Sequence, residues 1–370
     1  MKKVIYILGL SSIMTLSARA QLVSLNNKEV SSMRKAINLD KYEPSTYRKV
    51  FNPYLKAADE ALTETPNPIA EILSQGLLEG NPKKTASLKA VEDAYKTYAL
   101  SLAYKYNGEK KFLDKATEYL LAWAKVNNAT GDPINETKLE DMVTAYDLTR
   151  NDIQQDNRVV IDHWLSSIAD AEVNSESAKP GRGTAINNWN SHRIKMIALI
   201  NYTLHDHKYD NLIISELEKQ LAVNLNPDGT THDLVERDAF HYHTYDLEPL
   251  LTTCIAIYRA TGKNYFTFQT ANGASIKKCV DYMIPFMTGE KTHPEFVNST
   301  VPFDQKRAKN NEKGYAAGTL FNPQNGLQVF SLAEFFDPGY LNVIFKASKD
   351  GNQYFNWRMA MNKFTRNDKN

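Results

Sequence analysis

The run Glu236-Arg-Asp-Ala-Phe-His-Tyr-His-Thr-Tyr245 packs more reactive side chains together than its apolar surroundings would lead one to expect. It follows the turn Asp228-Gly229-Thr230-Thr231-His232. Read as one helix, it places Asp238, His241, Tyr242 and Tyr245 on one face, with Arg237 a turn before His241. A capped amphipathic helix with solvated polar tips is the plain alternative. Three His, two Tyr and an Arg in so short a stretch favour chemistry. A second cluster, Ala185-Ile-Asn187-Asn188-Trp189-Asn190-Ser191-His192-Arg193, opens another apolar segment. Asn188 and His192, four apart, share a face, and the helix start offers free N–H groups and a positive dipole end suited to a carboxylate.

These residue types narrow the reaction. The sequence shows no Gly-rich phosphate loop and no nucleophilic Ser or Cys motif. His241-Tyr-His243 and His205-Asp-His207 lack the H-x-x-x-H or H-E-x-x-H spacing that puts metal ligands on one helical face, so neither a metal nor another cofactor is expected. Asn, Arg, His and Tyr together suit β-elimination from a uronic acid. The C5 proton becomes removable once Asn and Arg neutralise the carboxylate by hydrogen bonds and charge. A base takes that proton, and an acid protonates the departing O4. Tyr can serve as acid, or as a phenolate base where cations lower its pKa.

The elements that must hold these groups are mostly helical, since apolar residues recur at i, i+3 and i+4 from about Ala57 onward. The spacing predicts helices over Ala86–Tyr106, Lys111–Val126, Lys138–Arg150, Arg158–Glu172, Asn188–His205, Asn211–Leu225, Glu236–Ala260 and Ser275–Phe286. Three similar segments, Tyr104–Phe112, Tyr202–Tyr209 and Tyr258–Tyr265, each read as the tip of a helical hairpin. Hairpins recurring in this way point to a solenoid or an α/α toroid, and the long loops Asn174–Ile186 and Thr288–Gln324 favour the toroid, which gathers such loops over a central cleft. Within the second loop, Lys291, His293, Lys306, Arg307 and Tyr315 are candidates for a polyanion contact.

Composition sets the outer bounds. The chain is 42% hydrophobic and 24% charged, as an ordinary globular protein is. Residues 1–20 read as a secretory signal peptide, with Met1-Lys2-Lys3, an apolar run from Val4 to Leu16, and Ala18-Arg19-Ala20 before the cut. Residues 21–370 are then expected to form one domain, exported to a periplasm or the medium. Losing Lys2, Lys3 and Arg19 would take the formal net charge from +1 to −2, which argues against a general nucleic-acid binder. No stretch is apolar enough for membrane insertion after cleavage. Cys254 and Cys279 allow at most one disulfide.

Asn187-Asn188-Trp189, the Asp228-Gly229 turn and the run from Arg237 to Leu250 resemble the alginate lyase domain superfamily of α/α toroid polysaccharide lyases. So do Leu100-Ser-Leu-Ala-Tyr-Lys-Tyr-Asn-Gly108, Leu121-Ala-Trp-Ala124 and Gly131-Asp-Pro-Ile-Asn-Glu-Thr-Lys-Leu139 with Ala145-Tyr-Asp147. The resemblance implies a mainly α, α/α toroid fold and metal-independent β-elimination on a 1,4-linked uronate polymer, with alginate containing mannuronate as first choice. It implies Tyr242 and Arg237 as catalytic residues and Asn188 as carboxylate neutraliser. The slot after Asn188, where many members carry the catalytic His, holds Trp189, so His192 is the expected base, with His241, His243 and His232 as alternatives. Asn187, Trp189, His241, His243, Tyr245 and Lys138 are the expected substrate contacts. Glucuronan, a glycosaminoglycan, or capture of a uronate glycan without cleavage are the rival readings.

Overall fold

The computed structural model describes residues 21–38 and 46–367, so the expected signal peptide lies outside the described residues. The described chain is helical. Its only β pairings are isolated bridges, Leu225 with Thr231 and Pro294 with Leu320. In chain order the helices are α1 (Asn27–Asn38), α2 (Thr46–Ala61), α3 (Pro82–Ala90), α4 (Glu92–Asn107), α5 (Lys110–Val126), α6 (Pro133–Glu136), α7 (Glu140–Thr149), α8 (Gln155–Val173) and α9 (Asn188–Leu204). There follow α10 (Asp210–Asn224), α11 (His232–Arg237), α12 (Phe240–Thr261), α13 (Ile276–Met287), α14 (Pro302–Lys309), α15 (Leu327–Ala333), α16 (Leu341–Ala347) and α17 (Trp357–Asn367).

Neighbour packing runs α4, α7, α9, α12, α15, α17 as an inner ring, and α17 closes it against α1 and α2, which pack on α4. Outside lie α5, α8, α10, α13 and α16, each against an inner helix. This is an α/α toroid. The most central helix is α9, where every residue from Asn188 to Leu204 except Trp189 is buried. A helix buried on all sides must satisfy its own polar groups. Accordingly Arg193 pairs with Glu216 and Lys195 with Glu140.

The hairpin tips form as the sequence predicts at two of three places. Gly108 (φ 79°) and His205 (φ 56°) end their helices in the left-handed conformation, and α5 and α10 start within a few residues. The third tip also ends left-handed at Gly262 (φ 75°), but Tyr265 packs on Phe268 within a loop and α13 begins only at Ile276. Cys254 and Cys279 are buried free thiols.

Two expected helices are each broken in two. Ala86–Tyr106 divides at Val91, whose N–H closes α3 on Ser87, while Glu92 and Asp93 begin α4 with the negative charge a helix start favours. Glu236–Ala260 divides at Asp238, which sits left-handed at φ 49°, a conformation a short polar side chain tolerates. Distant residues hold that break open. Asp238 accepts Phe296 N–H through its carbonyl (2.7 Å) and Asn298 N–H through its carboxylate (2.9 Å). The Glu295 carboxylate takes the first N–H groups of α12, at Phe240 (2.8 Å) and His241 (2.9 Å).

Candidate active site

At one mouth of the ring, the first turns of α9 and α12 meet α3, α6 and the Thr288–Gln324 loop around a cavity of about 600 Å³. One wall is Ser74, Gln75 and Gly76 with Lys84 and Leu88 of α3; Ile134 and Lys138 stand next to them. Asn188 and Trp189 belong to the start of α9, and Arg237, His241, Tyr242 and Tyr245 to α11 and α12. The long loop supplies Phe303, Lys306, Arg307 and Tyr315.

The phenol of Tyr242 is the most heavily engaged group on these walls. Arg307 Nη1 donates to its oxygen at 2.6 Å and to the Tyr315 hydroxyl at 2.7 Å. The Arg237 guanidinium lies over the Tyr242 ring, 3.8 Å from its centroid, within cation–π range. Burial, with Tyr315 and Asp304 adding to it, pushes the phenol well above the usual tyrosine range, and the Arg237 and Arg307 guanidinium groups offset that rise only in part. Arg237 itself is neutralised by the buried Asp304 (2.6 Å), so Arg307 is the less committed cation at the phenol. Tyr315 extends the cluster to His241 Nε2 at 3.3 Å. Burial, then Arg307 and Arg237, push His241 down to about 4, which leaves it neutral at pH 7.

Asn188 is held from behind. Its backbone N–H donates to Asp233 at 2.8 Å, and its side-chain amide donates to the other oxygen of the same carboxylate. The carboxylate expected at the start of α9 is therefore the protein's own. Burial pushes Asp233 up to about 6, against the hydrogen bonds of Asn188 and the charge of Arg237. An amide N–H₂ has two hydrogens, so one remains for the cavity. Lys138 donates to Ile134 C=O (2.6 Å), and burial pushes it down to about 8.

Several expected site residues lie elsewhere. His192 is 5% exposed, behind Tyr245, with the two rings 4.4 Å apart. Its Nδ1 faces Thr137 Oγ1 at 3.0 Å, its Nε2 is buried without a partner, and burial with Lys195 and Lys138 holds it well below the usual imidazole range. His243 is fully buried away from the cavity, its ring nitrogens against Thr231 Oγ1 (3.0 Å) and Cys279 C=O (3.1 Å). Asn187 caps α9 by accepting Trp189 N–H (3.0 Å) and is not on the wall. His232 opens α11 and Asp238 holds the break after it, both off the wall. Of the five loop candidates, Lys306, Arg307 and Tyr315 reach the cavity, whereas His293 contacts the Asp238 carbonyl (3.1 Å) and Lys291 the Phe286 ring (6.0 Å). Sequence reasoning missed Ser74, Gln75, Lys84 and Phe303; the one local signal was the Gly76, Gly80 and Pro82 punctuation of an exposed turn.

A ring of helical hairpins whose mouth gathers cations, phenols and a carboxylate-anchored amide is the make-up of a polysaccharide lyase. The chain belongs to the alginate lyase family, whose model matches residues 27–293. Among solved structures, an alginate lyase from Bacteroides ovatus is similar over 92% of this chain and 98% of its own, at 16% identity and a TM-score of 0.66. Alginate lyase A1-III from Sphingomonas species A1 is similar over 86% of this chain and 89% of its own, at 16% identity and a TM-score of 0.58. A histidine-to-alanine variant of A1-III complexed with tetrasaccharide covers 74% of this chain and 78% of its own, at 18% identity and a TM-score of 0.54. At these identities the likeness is one of fold. No curated protein matches the chain by sequence.

Proposed function

We propose that this chain cleaves mannuronate-containing alginate by β-elimination, with Tyr242 as both base and acid. The observation that carries the reading is the phenol of Tyr242 hydrogen-bonded by Arg307 at 2.6 Å beneath the Arg237 guanidinium, in the same cavity as Asn188. In this reading the free amide hydrogen of Asn188, with Lys138 nearby, neutralises the uronate carboxylate and acidifies C5–H. Tyr242, whose phenolate the two cations stabilise in part against burial, takes the C5 proton. The electron pair released from C5–H forms the C4–C5 double bond as the C4–O4 bond breaks, and the Tyr242 phenol returns the proton to O4.

The cavity phenols and imidazole also bear on the sugar. His241, Tyr315 and Tyr242 form one contiguous cluster, with Tyr245 next to Tyr242, so proton removal and delivery occur from one side. Mannuronate presents its C5 proton and O4 leaving group on the same face. The same reading has the reaction proceed without a metal and the protein exported through residues 1–20. Among the described residues no helix is long and apolar enough to cross a membrane.

The test is the ultraviolet absorbance of the new double bond, followed with purified protein and chelator on polymannuronate, polyguluronate, glucuronan and chondroitin. Polymannuronate should give the fastest rise, and Tyr242→Phe should lose at least about a hundredfold of that rate while keeping the fold. An active Phe variant removes Tyr242 from the chemistry. Binding without any absorbance change on all four polymers would mark a capture protein instead.

A further inference from the structure

A second cavity, of about 330 Å³, lies inside the ring, where α2, α4, α7, α9, α12, α15 and α17 converge. Along α12 it begins at Thr252, seven residues beyond Tyr245 of the active cavity and about 10 Å at the helical rise, while at the start of α7 its Glu140 is two residues from Lys138 of the active cavity. Glu140, which pairs with Lys195, is part of its lining. Nothing in the proposed elimination uses it.

Its lining is aromatic and unevenly charged. Tyr54, Tyr98 and Trp357 form an aromatic corner, with Tyr54 5.4 Å from the Trp357 ring and 5.7 Å from the Tyr98 ring. Asp141 faces the chamber, and among the described residues its carboxylate has neither a hydrogen bond nor an ion-pair partner. Burial, then Glu140, push it up to about 6. Arg358 also lines the chamber, and among the described residues its guanidinium donates only to the neutral Asn362 amide, at 2.8 and 2.6 Å. The nearby carboxylates are already taken, Glu29 by Arg259 and Glu334 by Arg366. Burial, then Arg259, pull Arg358 down to about 10. Both residues are part-exposed on one small chamber and neither has a salt-bridge partner among the described residues, an arrangement that a ligand carrying both a carboxylate and hydroxyl groups would complete.

We propose that this chamber is a second binding site, for a single uronic acid residue. Arg358 takes the carboxylate as a planar donor fork, Asp141 accepts ring hydroxyls, and Tyr54 and Trp357 cover the apolar face of the sugar. The volume is at the lower end for a ligand pocket and holds one sugar ring rather than a polymer. The choice of uronate among hydroxy-carboxylates rests on the lyase reading; the charge arrangement does not.

The experiment is calorimetric titration of the full chain with D-mannuronate monosaccharide, with D-mannose as the uncharged control. Arg358→Met and the chamber-filling Thr252→Phe should each weaken mannuronate binding at least about tenfold, the loss expected for a hydrogen bond to a charged group. Turnover of polymer in both variants should match the parent. Lys138→Met, in the active cavity, should leave the chamber binding event in place. Unchanged binding in both chamber variants, or mannose binding as tightly as mannuronate, overturns the proposal. So does a mannuronate-soaked crystal with water alone in the chamber. Chamber binding in a protein that cleaves none of the polymers would sink the lyase reading and leave this one standing.

Discussion

The guanidinium at 2.6 Å from the Tyr242 hydroxyl decides what that hydroxyl can do. A buried phenol with no cation is held firmly protonated; Arg307 donating to its oxygen lowers the cost of the phenolate that burial raises, without reversing it. Arg307→Met should therefore lower turnover by about a hundredfold and move the rising limb of the pH–rate profile to higher pH, because the phenolate form has lost its donor. A lowered rate with an unmoved profile would make Arg307 a substrate contact instead. His192 makes the opposite case. Its one side-chain hydrogen bond is to Thr137, away from the cavity, so His192→Leu should leave melting temperature near the parent value and activity within several-fold. A folded Leu variant with activity down more than a hundredfold would return His192 to the role of base. The sequence brought His192 forward through its i, i+4 relation to Asn188, which is correct for the helix. It could not show that Tyr245, on another helix, packs over His192 and takes the cavity wall itself.

At the scale of elements, local periodicity carried the reading well where a helix is set by its own residues. Lys111–Val126 and Asn211–Leu225 were within a residue of α5 and α10 because an apolar face and a left-handed cap suffice to define them. The breaks at Val91 and Asp238 were not legible; Glu295, which caps α12, is more than fifty positions from it in sequence. The strap 74–80 was equally invisible, since its shape is imposed from outside. Asn135 accepts the Ser74 and Gln75 N–H groups, both at 3.0 Å, at one end. At the other, Glu312 accepts Glu79 N–H at 2.7 Å, and Asn310 donates to the Glu79 carbonyl at 3.1 Å. The second oxygen of Glu312 lies 3.6 Å from Arg307 Nε, so one side chain joins the strap to the cation at Tyr242. Glu312→Ala should speed hydrogen exchange at the Glu79 amide and lower kcat together with a raised KM. Glu312→Gln retains an oxygen for Glu79 but no charge for Arg307, so it should restore the exchange protection and not the full kcat. Wild-type kinetics in the Ala variant would reduce Glu312 to a loop anchor.

For the whole molecule, hairpin recurrence was enough to expect a ring, but not how the ring closes. The closing pieces, α1 and α17, are short amphipathic helices, and their own periodicity does not say that their apolar faces meet each other and α2 across the length of the chain. Arg259, near the end of α12, is the junction. It donates to the carbonyls of Leu22 (3.0 Å) and Ser24 (2.7 Å) and pairs with both oxygens of Glu29 at 2.9 and 2.8 Å. Glu29 is 2% exposed, so removing its partner leaves a buried carboxylate with one short-range contact, the Asn26 N–H at 2.9 Å. Breaking a buried pair in that way costs about 3–5 kcal/mol, whereas replacing both partners by apolar groups is often close to neutral. Arg259→Met should thus lower the melting temperature clearly, and Arg259→Met with Glu29→Leu should recover much of the loss, though not the contacts to Leu22 and Ser24. The active cavity lies at the far end of α12 from Arg259, so the folded fraction of the single variant should keep parent turnover at temperatures well below its transition. Equal melting temperatures for the single variant and the parent would mean that the ring is closed by α17 packing alone, with the Arg259 and Glu29 pair contributing nothing to it.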